Sequence, residues 1–167
     1  TFNVIGDGAG QTINTFDVIN GGAGRDTLNL VDTAGGSTIP TASQMTNVEV
    51  VRVNAGAVIA ALDASANADV ESLIVAGAGA TAITLGEGQA ATLANTAAAG
   101  TTITVDAAEE TTTVTLDGIV SGDAFTLIGA ANTTLNVNGS VAGAGAVTIN
   151  EAATTETLNI TLSSDGV

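Results

Sequence analysis

The chain has 167 residues, enough for one domain with a core of its own, and 45% of them are hydrophobic, yet it contains no Trp, Tyr, Cys or His and only three Phe. Val, Ile, Leu and Ala must therefore fill the interior, which suits a thin core of many equivalent layers better than a thick one built on aromatic anchors. Seventeen acidic residues stand against Arg25 and Arg52, a net charge of −15, so no basic patch can form for nucleic acid or anionic lipid.

Taken in chain order, the first feature is a glycine-rich turn, Gly6-Asp7-Gly8-Ala9-Gly10. Asp17-Val18-Ile19-Asn20 follows and opens a series of apolar signals with Val18 and Ile19. Next comes Gly21-Gly22-Ala23-Gly24-Arg25-Asp26-Thr27-Leu28-Asn29, which fits the nonapeptide G-G-x-G-x-D-x-U-x at every defined position. From Leu28 onward a short apolar pair, U-x-U, returns repeatedly. It appears as Leu28/Leu30, Val51/Val53, Leu73/Val75, Ile83/Leu85, Ile103/Val105, Val114/Leu116, Phe125/Leu127, Leu135/Val137, Val147/Ile149 and Leu158/Ile160. Adjacent pairs stand about 11 residues apart and the wider gaps are close to double that; Ile39, Leu62 and Leu93 sit where the missing units belong.

Alternation with period two marks each pair as a strand with one buried face. Thr or Asn fills many of the middle positions, as in Thr104, Thr115, Thr126, Asn136, Thr148 and Asn159, so these residues are expected to face outward. Gly, Ala, Asn and Asp separate the units, as in Gly77-Ala78-Gly79 and Gly143-Ala144-Gly145, and these are turn residues. No segment carries a capped helical pattern. An all-β chain with about 10–12 residues per strand is thus predicted, either a β-sandwich or a parallel β-solenoid (β-roll). The uniformity of the units favours the solenoid, and the clean doubling of the gaps favours two strands per coil over three.

The glycines of the nonapeptide permit left-handed backbone, so that carbonyls of the turn can converge on a cation beside the Asp26 carboxylate. In this motif the chain resembles the RTX (repeats-in-toxin) proteins, strictly over Gly21–Leu30 and loosely over Gly6–Asn20. The Thr-, Ala- and Val-rich remainder, with phrases such as Met45–Val53, is similar in texture to the calcium-dependent surface-layer proteins of Gram-negative bacteria. The resemblance divides the chain into RTX-like turns over residues 1–36 and a continuous solenoid over 37–167. It implies calcium as the bound ion, held by the carbonyls of Gly22 and Gly24 and the carboxylate of Asp26, with Asp17, Asn20 and Asp7 as further ligands. It also implies type I secretion and an extracellular, cell-surface location. The partners that the resemblance implies are other copies of the chain in a lattice, and a cell-surface polysaccharide reached through another region. One complete nonapeptide with one partial neighbour departs from the family, which normally stacks several.

Other acidic positions, Asp117-Gly118 with Gly122-Asp123, Glu109-Glu110, and Asp63 with Asp69, are expected to be solvated turns. Catalysis is not expected. Without His, Cys or Lys the commonest general base, the thiol nucleophile and the Schiff-base amine are missing, and Gly77-Ala78-Gly79 and Gly86-Glu87-Gly88 lack the lysine of a phosphate loop. No run approaches the roughly 20 apolar residues of a membrane-spanning helix. The chain opens without a basic, then apolar, leader and reads as part of something longer. Three roles are left: a surface-layer component, a spacer segment of a large adhesin, or an ice-binding array of outward threonines.

Overall fold

The computed structural model of the chain describes residues 1–7, 11–14, 16–94, 101–105, 111–118, 125–128, 132–138, 147–150 and 157–163. Every regular element among them is a strand, and the pairings between them are parallel. One stack contains eight strands: β1 (Phe2–Ile5), β3 (Thr27–Asp32), β5 (Val50–Ala55), β7 (Ser72–Gly77), β9 (Ala90–Ala94), β11 (Thr111–Asp117), β13 (Asn132–Asn138) and β15 (Thr157–Ser163), hydrogen-bonded in that order. The even-numbered strands lie outside this sheet. β6 (Leu62–Asp63), β8 (Ala82–Leu85), β10 (Thr101–Val105), β12 (Phe125–Ile128) and β14 (Val147–Asn150) form a five-stranded sheet, while β2 (Ile19–Asn20) pairs only with β4 (Met45–Thr46).

Each strand thus neighbours the next but one in sequence, and the chain winds from one stack to the other and back. This is a parallel β-solenoid with two strands per coil. Leu28, Val51 and Leu73 share one register position at intervals of 23 and 22 residues, the length of one coil. The sheet also runs without a break across the boundary between residues 36 and 37, since β3 and β5 pair through all six of their residues.

The core consists of two inward columns on the long sheet, Leu28–Val51–Leu73–Ala91–Val114–Leu135 and Leu30–Val53–Val75–Leu93–Leu116–Val137. All twelve are buried. Leu62, Ile83 and Leu85 close the interior from the other stack. Burying a Val or Leu side chain contributes roughly 1.5–3 kcal/mol, and identical spacing lets each layer fill the gap left by its neighbour. Between the inward columns the side chains turn to solvent: Asn29, Arg52, Ile74, Thr92, Thr115 and Asn136 make one outward column. It begins with a hydrogen bond donated by Asn29 Nδ2 to Asn3 Oδ1 at 2.8 Å.

Four details differ from the sequence pattern. The pair stacked on Leu135/Val137 is Ile160/Leu162, because Leu158 pairs with the buried Thr133. Phe125 pairs with Thr101 and Leu127 with Ile103, so that unit enters its column one step earlier than its apolar pair suggests. Val18 is 73% exposed while Ile19 is buried, so only one of the two belongs to the core. Ile39 is buried but lies in no strand. The Gly143–Gly145 turn lies outside the described residues.

Candidate functional site

The nonapeptide forms the corner between β2 and β3. Gly22 and Gly24 adopt φ of +82° and +108°, left-handed values that a side chain resists, and a Cβ on either would meet nothing within 4 Å. Gly21 is constrained differently. Its N–H donates to the Thr46 carbonyl at 3.0 Å, and a Cβ there would run into the Asn47 carbonyl oxygen and lie 2.8 Å from both Asn47 C and Asp26 Cβ. The first glycine lets two coils touch, and the next two shape an open turn.

Asn20 ties this corner down. Its Oδ1 accepts the Gly22 N–H at 2.9 Å and the Asn47 Nδ2 amide at 3.0 Å. Asn47 itself has φ +52° and donates its N–H to Asp69 Oδ2 at 2.8 Å, so three successive coils are linked through side chains at one corner.

Asp26 lies one residue before β3. Its N–H donates to Glu49 Oε2 at 2.6 Å, and its carbonyl accepts the N–H groups of Glu49 and Val50 at 3.2 and 3.0 Å. Its carboxylate meets the Thr1 amino group at 3.3 Å and is committed to no backbone N–H. The strand register, Thr27 with Val50 with Ser72, puts Asp26, Glu49 and Glu71 at the same corner of three consecutive coils, with about 4.8 Å between strands. Like charges at that spacing repel. Arg25 offsets part of this through its 2.6 Å contact with Glu71 Oε2, a bond between two exposed side chains and so weak in water.

The six residues singled out from the sequence separate into three groups. Asn20, Gly22, Gly24 and Asp26 share the corner before β3. Asp17 closes the preceding turn, where Asn14 N–H donates to its Oδ2 at 2.7 Å. Asp7 lies at the opposite end of the strands, level with Thr33, because β1 pairs with β3 from Phe2–Leu28 to Ile5–Val31. Seven residues of strand, about 23 Å, separate that level from Asp26, so the two carboxylates cannot share an ion.

At its own end Asp7 performs another task. Its Oδ1 accepts the N–H of Thr33 at 2.8 Å and of Ala34 at 3.3 Å, and its Oδ2 that of Gly36 at 2.7 Å. The buried Asp32, missed by the sequence pattern, takes the intervening and following N–H groups, Gly35 at 2.8 Å and Ser37 at 3.0 Å. Five consecutive backbone donors of the corner after β3 thus end on two carboxylates, one from each of two coils. The Thr33 N–H bond holds the Asp7 carboxyl below its usual range, against a partial opposing effect of burial; the Gly36 and Ala34 N–H groups and the neighbouring Asp32 act in the same direction as Thr33. Asp63 caps its own turn through Ser65 N and Oγ at 2.9 and 2.7 Å, away from Asp69. Glu109, Glu110, Gly122 and Asp123 lie outside the described residues.

Glu49 and Glu71 were legible only through the coil period, Glu49 following Asp26 by 23 residues and Glu71 following Glu49 by 22, and no pattern in the sequence marked Asp32. Among the described residues no three carboxylates converge closely enough to hold a metal on their own. What the β2–β3 corner holds is the Asp26 carboxylate, paired with the Thr1 amino group and accepting no backbone amide among the described residues, at the same corner as the glycine turn; hard cations take six to eight oxygen ligands. No helix among the described residues is long and apolar enough to cross a membrane. Comparison with protein families, with curated proteins and with solved structures returned no match.

Proposed function

We propose that this chain is a structural stretch of a bacterial surface-layer protein, secreted by a type I route, whose solenoid is stiffened by calcium and assembles into an extracellular lattice. The observation that carries this reading is the complete nonapeptide corner, with the Asp26 carboxylate bound only to the Thr1 amino group among the described residues and stacked in one column with Glu49 and Glu71. A divalent cation there would be held by the Asp26 carboxylate and the carbonyls of Gly22 and Gly24. It would supply the positive charge that a single exposed arginine does not, and so favour coil stacking. Before export, at low calcium, the same repulsion and the net charge of −15 would oppose folding.

Circular dichroism of the chain in chelator and in calcium tests the ion. With an affinity of about 10⁻⁴ M, typical of extracellular sites, 10 mM calcium stabilises by about 2.7 kcal/mol. That raises the melting temperature by roughly 5–10 °C for a chain of this size. Asp26→Asn abolishes the rise. A melting curve indifferent to calcium removes the ion from the proposal. Electron microscopy of the calcium-loaded protein at the cell surface tests the assembly: a two-dimensional lattice supports it, whereas isolated fibres identify an adhesin spacer instead.

A further inference from the structure

The acidic residues are distributed unevenly. The eight strands of the long sheet contain three charged residues, Asp32, Arg52 and Asp117, although the chain has nineteen in all. Asp32 points inward and is buried. The outer face is therefore a broad surface of Thr, Asn, Ser, Ala, Val and Ile interrupted by one positive and one negative side chain. Both are exposed, and neither makes an ion pair among the described residues. Depletion of charge marks the centre of protein interfaces rather than ordinary surface.

The two charges also occupy related places. In the sheet order β1-β3-β5-β7-β9-β11-β13-β15, Arg52 is on β5 and Asp117 on β11, with β7 and β9 between them. A two-fold axis parallel to the strands and midway between β7 and β9 exchanges β5 with β11. Two copies laid face to face about that axis, with sheets about 10 Å apart, bring Arg52 of each opposite β11 of the other. Asp117 stands two residues further along the strand than the Arg52 register position, by the pairings Arg52–Ile74–Thr92–Thr115. That offset is about 6.6 Å, within reach of an extended arginine side chain. We infer that the outer face of the eight-stranded sheet is an interface with a second copy of this chain, closed by two symmetric Arg52–Asp117 ion pairs. The inference deepens the assembly reading above and rests on it for the nature of the partner.

The size of the face agrees with such a contact. Seven strand spacings of about 4.8 Å by a width of roughly 16 Å give about 540 Å² of projected surface on each copy. The two together approach the lower edge of stable interfaces, about 1,200 Å², which suits a contact repeated across a lattice. Among the described residues the other acids are at corners or on the opposite stack, and at physiological salt, with a screening length of about 8 Å, their repulsion fades while a direct pair persists.

Sedimentation of the folded chain over a range of concentrations tests the inference. The unsubstituted chain forms a dimer. Arg52→Asp or Asp117→Arg alone turns both pairs repulsive and weakens that dimer by about 10- to 100-fold. Each variant, mixed with the other, forms a 1:1 heterodimer, because both pairs across the axis then join opposite charges again, one of them with its signs exchanged; unchanged circular dichroism excludes misfolding as the cause. A chain that stays monomeric, or a mixture that forms no heterodimer, overturns the inference. A surface lattice seen by microscopy and indifferent to both reversals overturns this interface and leaves the surface-layer reading standing.

Discussion

The contrast between Gly21 and Gly22 tests how the calcium-type corner is built. In Gly21→Ala the new methyl group meets the Asn47 carbonyl oxygen and sits 2.8 Å from two further heavy atoms, all of them in backbone or short, held groups. The β2–β3 corner must withdraw from the neighbouring coil, and the Gly21–Thr46 hydrogen bond goes with it. Overpacking of this kind costs about 1–3 kcal/mol and the lost bond about 1 kcal/mol more, so roughly 2–4 kcal/mol in total. In Gly22→Ala the methyl enters open space, and only the positive φ of 82° is penalised, at about 1–2 kcal/mol. Urea unfolding in chelator, followed by circular dichroism, measures both without a contribution from any ion. Amide exchange at Gly21 and Ile19 reports the corner locally, which matters because coils of a solenoid can open one at a time. Equal destabilisation by the two substitutions, or a smaller effect at Gly21, refutes the close approach of the two coils.

Two further outcomes follow from the same structure. Because hydrogen bonds hold the folded Asp7 carboxyl below its usual value, its contribution to stability is present above the unfolded value of about 3.9. It is lost as pH falls from there through the folded value. The urea midpoint of the unsubstituted chain should therefore drop more steeply as pH falls below about 4 than that of Asp7→Asn; parallel profiles contradict the role assigned to Asp7. Removing residues 51–72 joins Val50 to Leu73, which shares its register position with Val51, and takes out one coil. That deletion should leave a folded β-structure, whereas removing residues 51–61 takes a strand from one stack only and should abolish cooperative unfolding. Similar denaturation curves for both would argue against a coil of this length.

The composition, the period and the turn residues determined most of the fold. Alternation in pairs such as Val51/Val53 and Val114/Leu116 fixes which side chains face inward, because a strand has a period of two, and a doubled spacing near 22 residues implies two strands per coil. The left-handed turn was readable from Gly22 and Gly24 because only glycine adopts that backbone freely. Tertiary structure alone decided which strand position stacks on which. The choice of Ile160/Leu162 over Leu158/Ile160 depends on the neighbouring coil, where Thr133 offers a buried partner to Leu158; both registers satisfy the same local alternation.

The acidic residues show the same division. By sequence alone Asp7, Asp17 and Asp26 are each a carboxylate beside turn residues, with only Asp26 inside a complete nonapeptide. Folding gives Asp7 to the backbone N–H groups of the next coil and Asp17 to its own turn, and sets Asp26 beside the Thr1 amino group at the corner it shares with Glu49 and Glu71. For Asp7 and Asp26 partners 25 or more residues away decide this, whereas the bond from Asn14 to Asp17 is local. The pairing of Arg52 with the place of Asp117 across an axis is a property of the assembled sheet in the same way. Sequence sets the periodicity of a solenoid because backbone geometry is local, and the stacking of coils sets what its charges do because their partners are not.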